Sequence, residues 1–245
     1  MGSHMWGKEL AQTYEAASAA MFDPSVVDPV VDVLHELAGG GPALEFAIGT
    51  GRIALPLRAR GVDVSGIELS PHMLAELRTK PGGDAIPVVL GDMTTARVPG
   101  AFSLVYLVFN TIMNVTTQAE QVAVFRNAAA HLRAGGCFVV EVSVPRLRHL
   151  PPGELGRVFD LSENHVGIDT YDDVASQVTW SIHWTVLDGK LVRDAAPYRY
   201  VWPAELDLMA QLAGLRTRDR WANWARDTFG PQGERLVAVF EKPPA

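Results

Sequence analysis

Cysteine, long apolar runs and clustered basic residues are all scarce in this sequence, and each shortage excludes a class of protein. The one cysteine, Cys137, lies in an apolar segment and has no second cysteine to pair with. A disulfide framework within the chain is therefore excluded. We expect a buried, inert thiol in a protein of the reducing cytoplasm.

Membranes and nucleic acids are also disfavoured as partners. No apolar run reaches the roughly 18 residues that a membrane-spanning helix requires, so we expect a soluble protein. The chain carries 28 acidic and 21 basic residues, a formal net charge of -7, and no cluster of lysines and arginines that would bind a polyanion. This balance favours a small molecule or a protein as the substrate.

The length of 245 residues, 48% of them hydrophobic, suffices for one domain with a sizeable insertion. Residues 1–5 are typical of an expression-tag remnant. The segment 145–202 differs from the rest, because it begins with several prolines and continues with two β-like runs, 174–187 and 191–200. These runs are joined by Asp188-Gly189, a strong signal for a β-hairpin.

A glycine turn between an apolar run and a predicted helix is the strongest functional signal. Gly49 and Gly51 permit a left-handed backbone and let a ligand approach the main chain. The first amides of the following helix would then donate hydrogen bonds to that ligand. Two cofactors fit such a turn, since residues 49–54 also satisfy the dinucleotide fingerprint with alanine in the last place.

Acidic residues at three predicted strand ends favour a cationic ligand over a diphosphate. Glu45 lies four residues before the glycine turn, Glu68 ends the next strand, and Asp92 follows the third. Glu68 is 17 residues beyond Gly51, where an acid accepts hydrogen bonds from ribose hydroxyls. S-Adenosylmethionine (SAM) carries a sulfonium and an ammonium, whereas carboxylates repel a pyrophosphate. An NAD(P)-dependent oxidoreductase is the alternative.

These residues together resemble motif I of class I SAM-dependent methyltransferases. The acidic residue, the glycine pair, Glu68 and the run Gly91-Asp92-Met93 follow that family's order and spacing, and the similarity extends from about residue 10 to the end of the chain. Ala47 departs from the pattern, because the family usually has glycine there, and its methyl group is expected to displace the turn slightly. Within the family, the chain is most similar to small-molecule enzymes of the amino-sugar N-methyltransferase kind.

The resemblance implies an α/β fold with a Rossmann-like, seven-stranded, mostly parallel sheet, an antiparallel last strand and an inserted β lid. Residues 6–144 would form the SAM-binding core with its N-terminal helices, residues 145–202 the lid and acceptor region, and residues 203–245 a helix and an antiparallel strand pair that complete the core. The residues predicted to hold SAM are Glu45, Ala47, Gly49, Gly51, Arg52, Glu68, Leu69, Met73, Gly91, Asp92, Met93, Phe109 and Asn110.

The acceptor cleft is expected after the apolar run 102–109, which is typical of a parallel strand covered on both faces. The carboxyl ends of such strands form the ligand-binding edge. Asn110 and Asn114 interrupt the apolar pattern there, so we predict that they line the cleft, with turn hydrogen bonds as the alternative. At this point nucleic-acid N-methyltransferases have Asp or Asn followed by Pro-Pro and an aromatic residue. Here Thr111 follows Asn110, which disfavours a flipped nucleic-acid base as the methyl acceptor.

Alternate residues of the predicted lid strand face opposite sides. The polar side, with Ser181 and His183, is a candidate pocket wall, with exposure to solvent or a dimer contact as the alternatives. The apolar side, with Trp180 and Trp184, is expected to pack. Exposed lid strands favour a homodimer. The lid histidines lack a cysteine or carboxylate at ligand spacing, so no metal site is predicted. His131 is predicted to be structural, at a helix C-terminus that favours a cation.

Methyl transfer by in-line displacement requires alignment, exclusion of water and an unprotonated nucleophile. We predict transfer from SAM to an amine or hydroxyl of a small molecule; a catalytically inactive SAM-binding protein is a further alternative. Tyr14, in a predicted helix over 6–22, is expected to face the reacting groups with Asn110 and His183. The residues expected to bind the acceptor are Phe22, Met113, Asn114, His149, Tyr171, Trp184 and Arg199.

Overall fold

The computed structural model describes residues 7–8, 11, 14–15, 18–187 and 189–244. The predicted tag remnant, 1–5, lies outside these residues. Seven residues of the predicted helix over 6–22 (6, 9–10, 12–13 and 16–17) and Asp188 of the predicted hairpin turn also lie outside them. The last part of that predicted helix is a 3-10 helix, Ala19–Phe22.

The described strands form two sheets, one of seven strands and one of four. The strands of the larger sheet are β1 (Ala43–Phe46), β2 (Val64–Glu68), β3 (Val88–Leu90), β4 (Phe102–Leu107), β5 (Leu132–Ser143), β10 (Arg216–Trp221) and β11 (Arg235–Glu241). Those of the smaller sheet are β6 (Gly156–Leu161), β7 (His165–Asp173), β8 (Val178–Leu187) and β9 (Lys190–Arg199).

The larger sheet has the order β10-β11-β5-β4-β1-β2-β3. Strands β1 to β5 pair in parallel, and β11 runs antiparallel to both of its neighbours, β5 and β10. The antiparallel last strand is therefore confirmed. It lies one position inside the sheet rather than at the edge, because β10 forms the edge.

Side chains cap the N-termini of three of the five helices named here. The five are α1 (Pro24–Ala38), α2 (Ala54–Ala59), α3 (Pro71–Arg78), α4 (Gln118–His131) and α5 (Pro203–Leu212). The Asp23 side chain accepts from the Ser25 amide at the start of α1, and Ser70 Oγ accepts from the Met73 amide at the start of α3. Helix α1 ends at Gly39, whose φ of 55° is left-handed.

The core consists of two apolar clusters, to which alternate residues of β4 contribute. Val105 and Leu107 belong to one cluster, and Leu104 and Tyr106 belong to the other. Every residue of β4 is buried, as expected for a central parallel strand covered on both faces. The carboxyl ends of β1, β2 and β4 consequently meet at one edge of the sheet.

The smaller sheet is the predicted β lid, with strands in the order β6-β7-β8-β9, all antiparallel. The sequence predicted only the two strands that became β8 and β9, so β6 and β7 were missed. The face of β8 that was expected to pack is instead exposed, with Trp180 at 43% and Trp184 at 37%. Its polar face is the covered one, since Thr179 and Ser181 are buried.

Arg199, at the end of β9, ties the lid to the core and was wrongly assigned to acceptor binding. Its buried guanidinium donates to Glu205 Oε1 at 2.6 Å, to Gln177 Oε1 at 2.9 Å and to Gln121 Oε1 at 2.5 Å. Gln121 Nε2 returns a hydrogen bond to the Arg199 carbonyl. A buried arginine needs such partners, and these lie on α4, on α5 and before β8.

We predict that Arg199→Ala lowers the free energy of unfolding by about 3 kcal/mol, because it leaves the Glu205 carboxylate largely buried without its cation. Urea denaturation followed by tryptophan fluorescence measures this change. The control is Arg193→Ala, on the same strand with an exposed side chain. Equal stability of the two variants would contradict the anchoring role.

Candidate functional site

A cavity of about 700 Å³ lies between the carboxyl edge of the larger sheet and the polar face of the lid. This volume is typical of small-molecule sites, which span roughly 300–1,000 Å³. The predicted site residues that line it are Tyr14, Glu45, Ala47, Gly49, Arg52, Glu68, Leu69, Met73, Phe109, Asn110, Met113, Asn114, Tyr171 and His183.

The glycine turn is held in place by Glu68, the last residue of β2. Its Oε2 accepts from the Gly49 amide and its Oε1 accepts from the Ser70 amide, both at 2.7 Å. The Gly49 amide is therefore occupied by this carboxylate. Each carboxylate oxygen accepts more than one hydrogen bond, so acceptor capacity remains on the cavity side.

Glu45, at the end of β1, is a buried carboxyl rather than an exposed anion. The Tyr106 hydroxyl donates to its Oε2 at 3.0 Å, and the Ala54 amide at the start of α2 also donates to the side chain. Burial raises the pKa of Glu45 to about 8. The carboxyl is therefore mostly protonated at neutral pH, and its expected negative charge is largely absent.

Backbone strain is concentrated at this edge of the sheet. Ala47, where glycine was expected, has a φ of 54°, and Phe109 and Asn110 both have a φ of 59°. Left-handed conformations are unfavourable for residues with a Cβ, and they persist where surrounding contacts hold them. For Phe109 and Asn110 such contacts come from β5: the Phe109 amide donates to Glu141 Oε2, and the Ser143 amide donates to Asn110 Oδ1.

Asn110 lines the cavity, and its side-chain oxygen accepts from the Ser143 amide of β5 rather than from an amide of its own turn. The Arg52 guanidinium carbon lies 4.9 Å from the centre of the neighbouring Phe109 ring. The Arg52 side chain also donates to the Met21 carbonyl at 3.2 Å, which connects the N-terminal segment to the turn.

Tyr14 reaches the cavity from the N-terminal segment. Burial raises the pKa of its hydroxyl, which keeps it a neutral donor. The Phe22 ring packs edge-on against Tyr14 at 6.3 Å between centroids, and the Lys80 ammonium lies 5.6 Å from the Phe22 ring centre. Phe22 is absent from the residues that line the cavity, so it supports Tyr14 instead of contacting a ligand.

Several predicted residues do not line the cavity. A Cβ on Gly51 would lie 2.4 Å from Leu77 Cδ1, so this glycine serves helix packing. Asp92 Oδ1 accepts from the Thr94 amide and hydroxyl. Gly91 and Met93 line a small recess that shares Ala47 and Leu69 with the main cavity. The lid residues that lie elsewhere are His149, Trp184 and Arg199.

The lid contributes cavity residues that the sequence reading missed, because their strands were not recognised. They include Phe159 on β6 and Asp169 on β7. Tyr198, on the predicted strand β9, also lines the cavity but was not assigned to the site. Alternation along β7 and β8 is the signal that locates them once the register is known. The predicted polar wall of β8 does line the cavity.

His131 is structural, as predicted, but it is not the cation that the helix dipole was expected to favour. Its Nε2 accepts from the Val98 amide at 3.0 Å, and its Nδ1 lies 2.8 Å from the Asn127 carbonyl. An accepting nitrogen carries no proton, and burial lowers the pKa of His131. Cys137 is a buried thiol, in agreement with its expected inertness.

Within the described ranges, no three histidine, cysteine, aspartate or glutamate side chains are grouped so that they would hold a metal ion. In the same ranges, no helix has the length and apolar character needed to cross a bilayer.

Comparison with known proteins agrees with this geometry. Residues 43–136 match a family model described as a methyltransferase domain. The cypemycin N-terminal methyltransferase of a Streptomyces species is 25% identical over 212 residues, which cover 85% of this chain and 86% of that protein.

Two solved structures extend the likeness over most of the chain. The CcbJ methyltransferase from Streptomyces caelestis is 32% identical, with a TM-score of 0.78 over 88% of this chain and 89% of that one. CalS10, an amino pentose methyltransferase from Micromonospora echinaspora, is 22% identical with a TM-score of 0.70, over 94% of this chain and 96% of that one. At this identity, the similarity supports the fold only. From the motif, the fold and these similarities together, we conclude that the chain belongs to the class I SAM-dependent methyltransferases.

Proposed function

We propose that the protein transfers the methyl group of SAM to an amine or hydroxyl of a small molecule that binds beneath the lid. One observation carries this proposal: the glycine turn with Glu68 and the polar face of the lid are opposite walls of a single cavity. A donor held at the turn and an acceptor held by the lid would therefore meet without intervening protein.

The cofactor wall offers chemistry that fits SAM. Glu68 has remaining lone pairs for ribose hydroxyls, and the apolar side chains of Leu69 and Met73 suit an adenine ring. SAM supplies an already activated methyl group on its sulfonium. The remaining task of the chain is to align the acceptor and exclude water, which contributes roughly 7–11 kcal/mol when alignment is complete.

The structure leaves fewer carboxylate charges near the cofactor wall than the sequence suggested. Glu45 is mostly protonated, and Asp92 lies away from the cavity wall. Burial also raises the pKa of Glu68, whose carboxylate is stabilised by main-chain amides. The preference for SAM over a dinucleotide therefore depends on Glu68 and on family membership, more than on three carboxylate charges.

The names of the relatives favour nitrogen as the acceptor atom. One is named as an N-terminal methyltransferase and another as an amino pentose methyltransferase. We propose that Tyr14, Asn110 and His183 face the acceptor, with Met113, Asn114 and Tyr171 around it. A homodimer and a cytoplasmic location are further predictions of this proposal.

Incubation with methyl-labelled SAM and a panel of primary amines and alcohols tests the function. We expect label to pass to at least one class of acceptor, with release of S-adenosylhomocysteine. A protein that binds SAM but labels no acceptor would support the alternative of a SAM-binding protein without catalysis.

Glu68→Gln is predicted to weaken SAM binding about 10- to 100-fold, measured by isothermal titration calorimetry. The amide loses one acceptor and the charge that strengthens hydrogen bonds to hydroxyls and amides, each worth about 1.5–3 kcal/mol. Asp63→Asn is the matched control, because Asp63 precedes the same strand with a side chain that is 80% exposed.

NADH titrated into the unmodified protein is expected to produce no heat of binding. SAM affinity that is equal in Glu68→Gln and in the control would refute the ribose assignment. Tight NADH binding would instead favour the dinucleotide alternative.

Glu45→Gln is predicted to change how stability depends on pH. The folded protein keeps the Glu45 proton up to about pH 8, whereas the unfolded chain loses it near the ordinary value of 4.5. This contribution to stability is thus complete below pH 4.5 and disappears as pH rises to about 8. Glutamine carries no such proton, so the variant should gain on the order of 3 kcal/mol relative to the parent between pH 5 and pH 8.

Urea denaturation at the two pH values measures that relative gain. Glu154→Gln, at an exposed lid position, is the control and should follow the parent protein. A pH dependence that Glu45→Gln leaves unchanged would show that Glu45 ionises normally in the folded state.

A further inference from the structure

Three polar side chains form a continuous hydrogen-bonded row across the lid, which we call the histidine row: Asp160 on β6, His165 on β7 and His183 on β8. His165 Nδ1 lies 2.5 Å from Asp160 Oδ2, and His165 Nε2 lies 2.9 Å from His183 Nδ1. The two ring planes differ by only 24°, with centroids 5.2 Å apart, as expected for rings joined edge to edge by a hydrogen bond in their planes. The row thus passes from one lid strand to the next at hydrogen-bonding distance throughout.

Its two ends have different surroundings. The Asp160 side chain is 51% exposed, and that of His165 is 24% exposed. His183 lines the cavity, and its Nε2 lies 3.3 Å from Ser181 Oγ, on the cavity wall as well. The row therefore connects solvent with the proposed acceptor site.

Starting from Asp160, the hydrogen bonds of the row assign which nitrogen of His183 is free of a proton. An ionised Asp160 only accepts, so His165 donates through Nδ1 and its Nε2 carries the lone pair. That lone pair accepts from His183 Nδ1, and a neutral His183 then has its own lone pair on Nε2. Asp160 therefore places an unprotonated nitrogen at the cavity wall, two side chains away.

Packing holds the His183 ring in this orientation. The Phe159 ring meets it edge-on at 5.5 Å between centroids. Gly167 is paired with His183 across the two strands, and a Cβ on it would lie 2.4 Å from Phe159 Cζ. The missing side chain at position 167 therefore leaves the space that Phe159 fills.

One carboxyl near the cavity end of the row, that of Asp169, has the right sign to stabilise a protonated His183 when it is ionised. Asp169 on β7 interacts electrostatically with His183 and is hydrogen-bonded to Ser181, and burial raises the pKa of this carboxyl. Arg146 and Arg157 also act on Asp169, which limits its negative potential. Asp160 remains the carboxylate that contacts the row directly.

We propose that His183 accepts the proton that the acceptor loses on methylation, and that His165 and Asp160 are positioning residues that keep His183 Nε2 ready for it. This proposal rests on the proposed function. The acceptor lone pair forms the bond to the methyl carbon, the carbon–sulfur electrons go to sulfur, and the acceptor N–H or O–H proton bonds to His183 Nε2. The Nδ1 proton of His183 shifts to His165 Nε2, so that the positive charge lies beside Asp160.

After the product leaves, the shared proton returns along the same path and water removes the proton on His183 Nε2. The row is then as it was before the reaction. This step suits an alcohol. An amine that arrives as an ammonium ion has no lone pair, so it first gives a proton to His183 Nε2 and then attacks the methyl carbon.

Nitrogen NMR of the histidine rings tests the arrangement without any acceptor. At about pH 8.5, well above the ordinary imidazole pKa of about 6.5, we expect both His165 and His183 to carry the proton on Nδ1. His165→Gln and His183→Gln assign the two sets of signals. Asp160→Ala should move the His183 Nε2 signal from the range of a bare nitrogen towards that of a protonated one.

Glu163→Ala is the matched control, because it removes an exposed carboxylate from the β6–β7 turn. It should leave the ring signals unchanged. A protonated His183 Nε2 in the parent protein, or a signal that Asp160→Ala and Glu163→Ala affect alike, would overturn the proposal.

Turnover provides the second measurement, with methyl-labelled SAM and the amine or alcohol that accepts most label. We expect kcat to fall about 100-fold in His183→Gln and about tenfold in Asp160→Ala, within the range of general-base effects. Calorimetric SAM affinity should be unchanged in both variants. If kcat is unchanged in His183→Gln and Asp160→Ala while both bind SAM normally, the role of the histidine row is rejected and the proposed function stands. If the parent protein does not bind SAM, the proposed function itself is rejected.

Discussion

The cofactor side of the site depends on carboxyl groups that bind the protein's own main chain. Glu68 holds the Gly49 and Ser70 amides, and Glu45 receives the Ala54 amide and the Tyr106 hydroxyl. These bonds join the ends of β1 and β2 to the starts of the two helices that follow them. Without them, the left-handed residues of the turn would have little to offset their strain. The acids are therefore part of the scaffold as well as candidate ligands.

The lid depends on a different interaction, the buried charge of Arg199 and its four hydrogen bonds to Glu205, Gln121 and Gln177. This network joins the last lid strand to α4 and α5 of the core. The polar face of the lid is thereby fixed above the carboxyl edge of the larger sheet. Its residues consequently become the acceptor wall, while the tryptophans of β8 face outward.

The strands and helices of the core were largely predictable, because their sequence signals are local. Ser70-Pro71 specifies a helix start, and the apolar run over 102–109 specifies a buried strand. The lid was harder to predict. Strands β6 and β7 mix polar and apolar residues without a clear period, and the tryptophans of β8 favoured the wrong buried face. Which face of a strand is covered depends on what lies over it, and that partner is distant in sequence.

The candidate site also combines features that the sequence determines with features that only the tertiary structure decides. The sequence alone determined the glycine turn, the strand-end acids and the family, because these depend on residue type and on spacing along one chain. The tertiary structure alone decided that Glu45 is protonated, that Arg199 is an anchor, and that Asp160, His165 and His183 form one row. Protonation follows from burial and from hydrogen-bond partners, and both arise only when segments far apart in the sequence pack together.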